Sequence, residues 1–338
     1  MRSHRWFTPW LLLGPAVIWV LVFALWPFLN TVFLSFTDAR PLRTPEFVGG
    51  ANYERMFGDE MFWNALTTCI IYVVVCVPLL TILPLLLALL VQKKLPGIAF
   101  FRTTFYFPVI ASVVVVALIW TWLFDSRGII NQTLEFLGLV DKPMAFLVDR
   151  WLLLGCAILL TVWKGLGYYM VVYLAALGNV GKELHEAAML DGAGSFRRFL
   201  SVTIPSVRGA MLLIAVLIAV SAMRVFAELD VLSKSTGGPG GYDMSLVMLI
   251  RQVGSGLNGN IGYASAISVA LFLLTLIPLA AIAFMNREKK AKVSALAPSL
   301  RPASTTTVAP TTARRHPRAN PSSAAAVPAT SASRPWAG

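Results

Sequence analysis

A chain of 338 residues that is 57% hydrophobic and only 13% charged, with a mean hydropathy of +0.73, lies far from the balance of a soluble globular domain and reads as an integral membrane protein. Its formal net charge of +12 does not make it a nucleic-acid binder, because the cations gather at the edges of apolar runs and in the C-terminal segment, where topology and anionic lipid account for them. The three cysteines, Cys69, Cys76 and Cys156, all fall inside apolar runs without metal-ligand spacing, which excludes a disulfide framework and leaves them as small packing residues.

Six apolar runs are long enough to cross a hydrocarbon core, at residues 11–36, 65–91, 105–124, 151–177, 206–226 and 264–285; about 20 helical residues suffice for a crossing. The first follows a short N-terminal segment, 1–10. It is too long for a signal-peptide core and lacks a small-residue cleavage pattern, so it is predicted to be a retained span. Pro27, Pro78, Pro84 and Pro278 fall within runs, where neighbouring helices can satisfy the freed carbonyls. Between the third and fourth runs, Ile130, Leu134 and Leu137 stand at i, i+4 and i+7, which predicts a short helix along the membrane face. After residue 290 the composition turns to Ala, Ser, Thr and Pro, so 291–338 is predicted to be a disordered tail. The fold class is therefore all-α, a polytopic six-transmembrane-helix bundle, with no internal repeat of the kind that builds many secondary transporters.

Lysine and arginine set the orientation. With the N-terminus inside, the inner side holds thirteen before the tail is counted and the outer loops hold eight, so both termini are predicted to be cytoplasmic. That places the polar loop between the fourth and fifth runs, 183–205, inside as well.

This loop reads as two short helices around a turn. Leu184, Ala187 and Ala188 share a face of the first; Gly192 and Gly194 permit the turn; Ser195 is placed to cap the second, whose apolar stripe is Phe196, Phe199 and Leu200. Pro205 suits the first turn of the next span. Small residues let another surface approach the backbone, and Glu186 can pair with a partner's cation. An amphipathic loop lying on the inner leaflet, held by Arg197 and Arg198, fits the same pattern.

Glu186-Ala187-Ala188, Asp191-Gly192-Ala193 and Ile204-Pro205 together resemble the EAA loop by which ABC-transporter permease subunits dock onto their ATP-binding subunits. The likeness extends to Phe47-Val48-Gly49 with Asn52-Tyr53, Phe101-Arg102-Thr103, Trp120 through Phe124, Val162-Trp163-Lys164-Gly165, Thr236-Gly237-Gly238-Pro239-Gly240 and Gly262-Tyr263-Ala264-Ser265-Ala266. In collinear order from about residue 10 to 290, these are similar to the binding-protein-dependent carbohydrate permeases of maltose, multiple-sugar and glycerol-phosphate type. The chain departs from that pattern at Val202-Thr203-Ile204-Pro205, where the family tends towards Ile-x-Leu-Pro, at Gly49-Gly50-Ala51, and in a shortened glycine run at 237–238.

The resemblance implies a permease subunit of an importer for a sugar or related polyol in a prokaryotic cytoplasmic (inner) membrane. It implies as partners two ATP-binding subunits, a second homologous permease and an extracytoplasmic solute-binding protein. A permease for another small solute and a stand-alone secondary transporter are the alternatives. No Gly-x-x-x-x-Gly-Lys-Ser/Thr phosphate loop occurs, so ATP and Mg belong to the partner subunits and no cofactor is expected on this chain. His4, His185 and His316 have no ligand neighbours at helical spacing, so neither a metal site nor a catalytic constellation is expected.

A sugar path wants hydroxyl partners and aromatic faces. The candidates are Trp163, Lys164, Tyr168, Tyr169 and Tyr173 in the fourth run, and Ser221 and Arg224 in the fifth. A structural reading stands beside this one, in which Arg224 pairs with Glu228 and Lys164 hydrogen-bonds helix ends. Thr236, Gly237, Gly238, Pro239 and Gly240 are the candidates for docking the binding protein, as a flexible turn that permits close backbone approach.

Overall fold

The computed structural model describes residues 8–92 and 96–296. Residues 1–7 and 297–338, and with them most of the expected N-terminal segment and tail, lie outside the described residues. The chain divides into a compact unit that ends at Glu288 and a second that begins at Lys289, of which the part to Leu296 is described, as helix.

The fold is all-α. Among the described residues five helices are long and apolar enough to cross a membrane, and one sharply bent pair makes a sixth candidate span. The first span is α1 (Thr8–Val20), a π turn at Leu21–Leu25 and α2 (Trp26–Leu34). The π turn directly precedes Pro27, which cannot donate to the carbonyl four residues back, and the register slips by one so that Trp26 N–H reaches Leu21 O. No residue of Leu13–Leu34 is buried in this chain alone.

The segment after α2 is clamped rather than loose. Asn52, in α3 (Ala51–Gly58), donates to the carbonyls of Ser35 and Thr37 at 2.9 and 2.8 Å. Gly262 lies so close to Thr37 that a Cβ there would stand 2.0 Å from its carbonyl oxygen. Asp59 caps α4 (Glu60–Val91), accepting from Met61 N–H at 2.9 Å, and also accepts the Tyr263 hydroxyl proton. Asn52-Tyr53 and Gly262-Tyr263 thus hold this end of the fold together.

The expected single helix over 105–124 is two helices, α5 (Ile98–Ile110) and α6 (Val113–Leu123), bent by 98°. Hydropathy runs unbroken across the bend, so periodicity carries no sign of it; the polar group that satisfies the bend comes from elsewhere in the chain, as described below. The short helix expected near Ile130 is α7 (Ile129–Phe136), anchored by buried Asn131, whose amide donates to Asp125 O and Met144 O while its oxygen accepts from Met144 N–H.

Asp149 caps α8 (Arg150–Gly178), accepting from Leu152 N–H at 3.0 Å. Then come α9 (Lys182–Leu190), α10 (Ser195–Arg198), a π turn at Phe199–Thr203 and α11 (Ile204–Met223). From Ser195 to Met223 these last three form one 29-residue span. α12 (Ala227–Leu232), a 3-10 turn at Pro239–Gly241, α13 (Leu246–Gly254) and α14 (Ile261–Leu296) complete the chain, and α14 runs past the boundary expected at residue 290.

The core lies where α4, α8 and α11 meet, around Tyr72, Leu80, Leu160, Met170, Tyr173 and Ile214. Two tyrosines tie it with polar bonds: Tyr72 donates to Ala157 O and Tyr173 to Thr81 O, each at 2.9 Å. All three cysteines are free and buried, as packing residues should be.

Candidate functional site

Near the middle of α4 and α8 a cavity of about 460 Å³ opens between these helices, α5, α11 and α12. Lys164, Tyr168, Tyr169, Ser221 and Arg224 all line it, so helices distant in sequence bring five of the candidate path residues together. Trp163 does not line it. A residue directly before Lys164 on a helix points about 100° away, and Trp163 instead packs on Trp120, with ring centroids 5.6 Å apart. Tyr173 does not line it either: its ring is fully buried in the core.

Lys164 does what the structural reading expects. Its ammonium donates to the carbonyls of Pro108, Val109 and Ala111 at 3.1, 3.2 and 2.6 Å, satisfying the C-terminal end of α5 where the span breaks. Helix ends leave carbonyls orphaned and carry partial negative charge, so a cation at this point is favourable twice over. Gly167, one turn further on, brings α8 against α5 so closely that a Cβ would stand 2.1 Å from the Phe105 carbonyl oxygen.

The expected Arg224–Glu228 pair is not formed: among the described residues the ion pairs are Arg150–Asp243 and Arg251–Asp230. α11 stops at Met223, Arg224 has left helical geometry with φ −107°, and α12 starts at Ala227, so the two residues do not share a helix face. Glu228 turns into the cavity beside Tyr72 and Thr161. The sequence signal for it was a carboxylate adjoining an apolar run, which is costly unless it faces protein or water. The cavity therefore offers a carboxylate acceptor, a guanidinium donor, several hydroxyls and two tyrosine rings at 81° to each other. That set hydrogen-bonds and stacks on a hydroxyl-rich solute.

Past the C-terminal end of α8, the 183–205 loop is a two-helix knob. α9 stops on a left-handed Gly192, φ +74°, with Gly192 N–H bonded to Met189 O and Ala193 N–H to Ala188 O at 3.0 and 2.9 Å. These bonds satisfy the last carbonyls of α9, which is why glycine stands at this position. Gly194 has extended geometry and takes the N-cap position of α10; Ser195 is the first helical residue and caps nothing. Glu186, Ala187, Asp191 and Gly192 are exposed, Ala188 and Ala193 half-buried between the two helices. Leu190 and Phe196 are 91% and 74% exposed, so the knob presents apolar as well as acidic surface. Half-buried Ile204 and exposed Pro205 lie within the continuous helix that leads away from the knob.

Beyond α12, the Thr236 to Gly240 turn is ordered by its own bonds. Thr236 Oγ1 donates to Ser233 O at 2.6 Å, Gly237 N–H to Ser233 Oγ at 3.2 Å, and Asp243 N–H to Gly237 O at 2.8 Å. Gly237 and Gly238 have φ of +70° and +75°, and a Cβ on Gly238 would meet the Asp243 carboxylate at 2.4 Å. Glycine is needed there for close packing within the fold, and Thr236, Pro239 and Gly240 are left exposed. Asp243 is fully buried, its nearest cation being Arg150 Nε at 3.6 Å. Burial pushes its carboxyl up to about 6, against the attraction of Arg150 and with the repulsion of Asp149 adding to the rise.

Among the described residues no three His, Cys, Asp or Glu side chains gather as a metal site would require.

Residues 136–290 match the family described as binding-protein-dependent transport system inner membrane component. Over 282 residues the chain is 30% identical to the lactose transport system permease protein LacF of Rhizobium radiobacter, covering 83% of this chain and 94% of that one. It is 31% identical over 269 residues to the trehalose/maltose transport system permease protein MalF of Thermococcus litoralis, covering 79% and 89%. Among solved structures, a bacterial ABC transporter involved in the import of the acidic polysaccharide alginate superposes with a TM-score of 0.71 at 23% identity, over 82% of this chain and 95% of that chain, which is a likeness of fold.

Proposed function

We propose a role in sugar import from the premise that this chain belongs to the binding-protein-dependent ABC transporter permeases, the family it matches over most of the length of curated members. It is a transport subunit, not an enzyme. Its solute is a sugar or related polyol, as the names of its relatives suggest, and the observation that carries this reading is the mid-span cavity lined by Tyr168, Tyr169, Ser221, Arg224 and Glu228.

In this reading the chain sits in a prokaryotic inner membrane with both termini cytoplasmic. An extracytoplasmic binding protein delivers the solute and docks near the exposed part of the 236–240 turn. A second permease completes the pathway, and two ATP-binding subunits, which supply the ATP and Mg sites, grip the knob through Glu186, Ala187, Ala188, Asp191, Gly192 and Ala193. Their closure moves the knob, Ile204 and Pro205 transmit the movement into α11, and the cavity alternates its exposure. The ordered apolar surface at Leu190 and Phe196 supports this over a loop merely resting on lipid, because it flanks the acidic and small residues on the same knob.

The experiment is a mild-detergent pulldown of the tagged chain beside a Glu186→Lys variant, with mass spectrometry and ATPase assay of each eluate, followed by uptake of labelled sugars by the assembled complex. Recovery of an ATP-binding subunit and a second permease, weakened in the variant, is expected. A chain that purifies alone, without ATPase, under conditions that preserve a known complex overturns the reading.

A further inference from the structure

We propose that a recess of about 420 Å³ between the end of α6, the start of α7 and α12 binds the headgroup of an aminophospholipid, its phosphate held by Arg127 and Lys234 and its ammonium facing Asp125.

The charges make the first case. Arg127 and Lys234 line the same recess, and neither side chain makes an ion pair or hydrogen bond among the described residues. Two exposed cations lining one recess repel each other, and an anion between them converts that repulsion into attraction. Arginine takes two phosphate oxygens in one plane and lysine a third as a point charge. Asp125 supplies the opposite sign: its Oδ1 already accepts Arg127 N–H at 3.0 Å and Ser126 Oγ at 3.4 Å, which leaves Oδ2 for a donor. A primary ammonium beside a phosphate matches two cations and one carboxylate; a quaternary ammonium has no hydrogen to give.

Depth makes the second. Leu118 and Trp122, in the last turn and a half of α6, form the wall of the recess, and Trp122 is 80% exposed. With exposed Val115 and Ile119 they make a continuous apolar face at i, i+3, i+4 and i+7, a track for acyl chains that ends at the cations. Tryptophan at such a boundary belongs at headgroup level. α7, next to the recess, exposes Ile129 and Phe136, the latter at 89%, as a helix lying in the interface does.

The backbone makes the third. Lys234 and Ser235 hold left-handed φ of +53° and +62°, a conformation that residues with a Cβ rarely adopt. The bonds Lys234 N–H to Val231 O and Ser235 N–H to Asp230 O fix it, and they set Lys234 at the recess. These bonds end α12 as a helix C-cap, which fixes where the Lys234 side chain starts.

The test is native mass spectrometry of the intact transporter complex, delipidated and then titrated with phosphatidylethanolamine, phosphatidylglycerol or phosphatidylcholine. Retention of phosphatidylethanolamine over phosphatidylcholine is expected, with apparent affinity about tenfold weaker in Arg127→Gln/Lys234→Gln. Asp125→Asn should bring phosphatidylethanolamine down to the phosphatidylglycerol level while leaving phosphatidylglycerol binding intact. Unchanged lipid-free melting of the variants in detergent checks their folding. Equal retention of phosphatidylethanolamine by wild type and the double variant overturns the proposal, as does retention of phosphatidylcholine at the same strength. Loss of the second permease from the double-variant complex would make this face a protein interface and overturn it too.

Discussion

Lys164 commits its ammonium hydrogens to three carbonyls at one bend, so its charge is partly spent before any solute arrives. Replacing it with methionine keeps the stem but strands those carbonyls in a part of the membrane with little water. Bonds to a charged donor contribute roughly 1.5–3 kcal/mol each in context, and not additively. The expected outcome for Lys164→Met is a lower melting midpoint of the complex and slower uptake, with Lys164→Arg largely restoring both; equal behaviour of all three proteins would remove the pin from the account. Asp243 yields a pH prediction. Its folded-state carboxyl is raised to about 6, so the protonated form is the one folding favours. The stability it contributes is complete below the ordinary carboxylate value of about 4 and is lost as pH rises through about 6. Amide exchange across 236–245, corrected for its intrinsic pH dependence, should be slower at pH 5 than at pH 7.5, and Asp243→Asn should flatten the difference.

Elements join these residues to larger motions, and α9 shows how one stops. Gly192 holds φ +74° with open space around the position where a Cβ would be, so its replacement costs backbone strain and nothing else. Left-handed geometry disfavours residues with a Cβ by roughly 1–2 kcal/mol, and Gly192→Ala is expected to loosen the knob and lower sugar-stimulated ATPase several-fold. Gly192→Pro, whose ring fixes φ near −65°, should abolish it; unchanged stimulation in both variants would mean that the knob's shape is immaterial. The knob, α7 and most of α4 and α8 were legible in the sequence because each carries its own signal: a glycine stop in the knob, apolar spacing in α7, long apolar runs in α4 and α8; the aspartates that cap α4 and α8, Asp59 and Asp149, were not read from it. The bend between α5 and α6 was not, since the group that satisfies its carbonyls, Lys164, lies more than fifty residues away, a long-range bond that no local pattern encodes. The cavity was half legible. Polar and aromatic residues in spans four and five were evident candidates, but which of them face inward depends on where α11 ends, and its end at Met223 separated Arg224 from Glu228 and turned Glu228 into the cavity.

At the scale of the molecule, one helix connects the knob to the cavity. Ser195–Met223 runs for 29 residues, about 44 Å at 1.5 Å per residue, with the knob's turn at its start and Ser221 in the cavity wall at its end. A helix transmits displacement along its axis only while its hydrogen-bond ladder is intact, and this one already contains a π turn at Phe199–Thr203, where the ladder is in a looser register. Rigidity beyond the π turn should therefore decide coupling. Leu213 sits near the middle of α11 with its side chain exposed, so Leu213→Pro breaks the ladder without emptying the core, while Leu213→Ala keeps the ladder and removes the same surface. In the assembled complex the proline variant is expected to retain ATP hydrolysis and lose at least tenfold in sugar uptake, with the alanine variant near wild type in both. If proline lowers hydrolysis and uptake in equal proportion, the helix serves assembly and carries no stroke. If uptake survives intact, force reaches the cavity by another route, the remaining direct one being α8, which also runs from the knob's first helix to the cavity through Tyr168 and Tyr169.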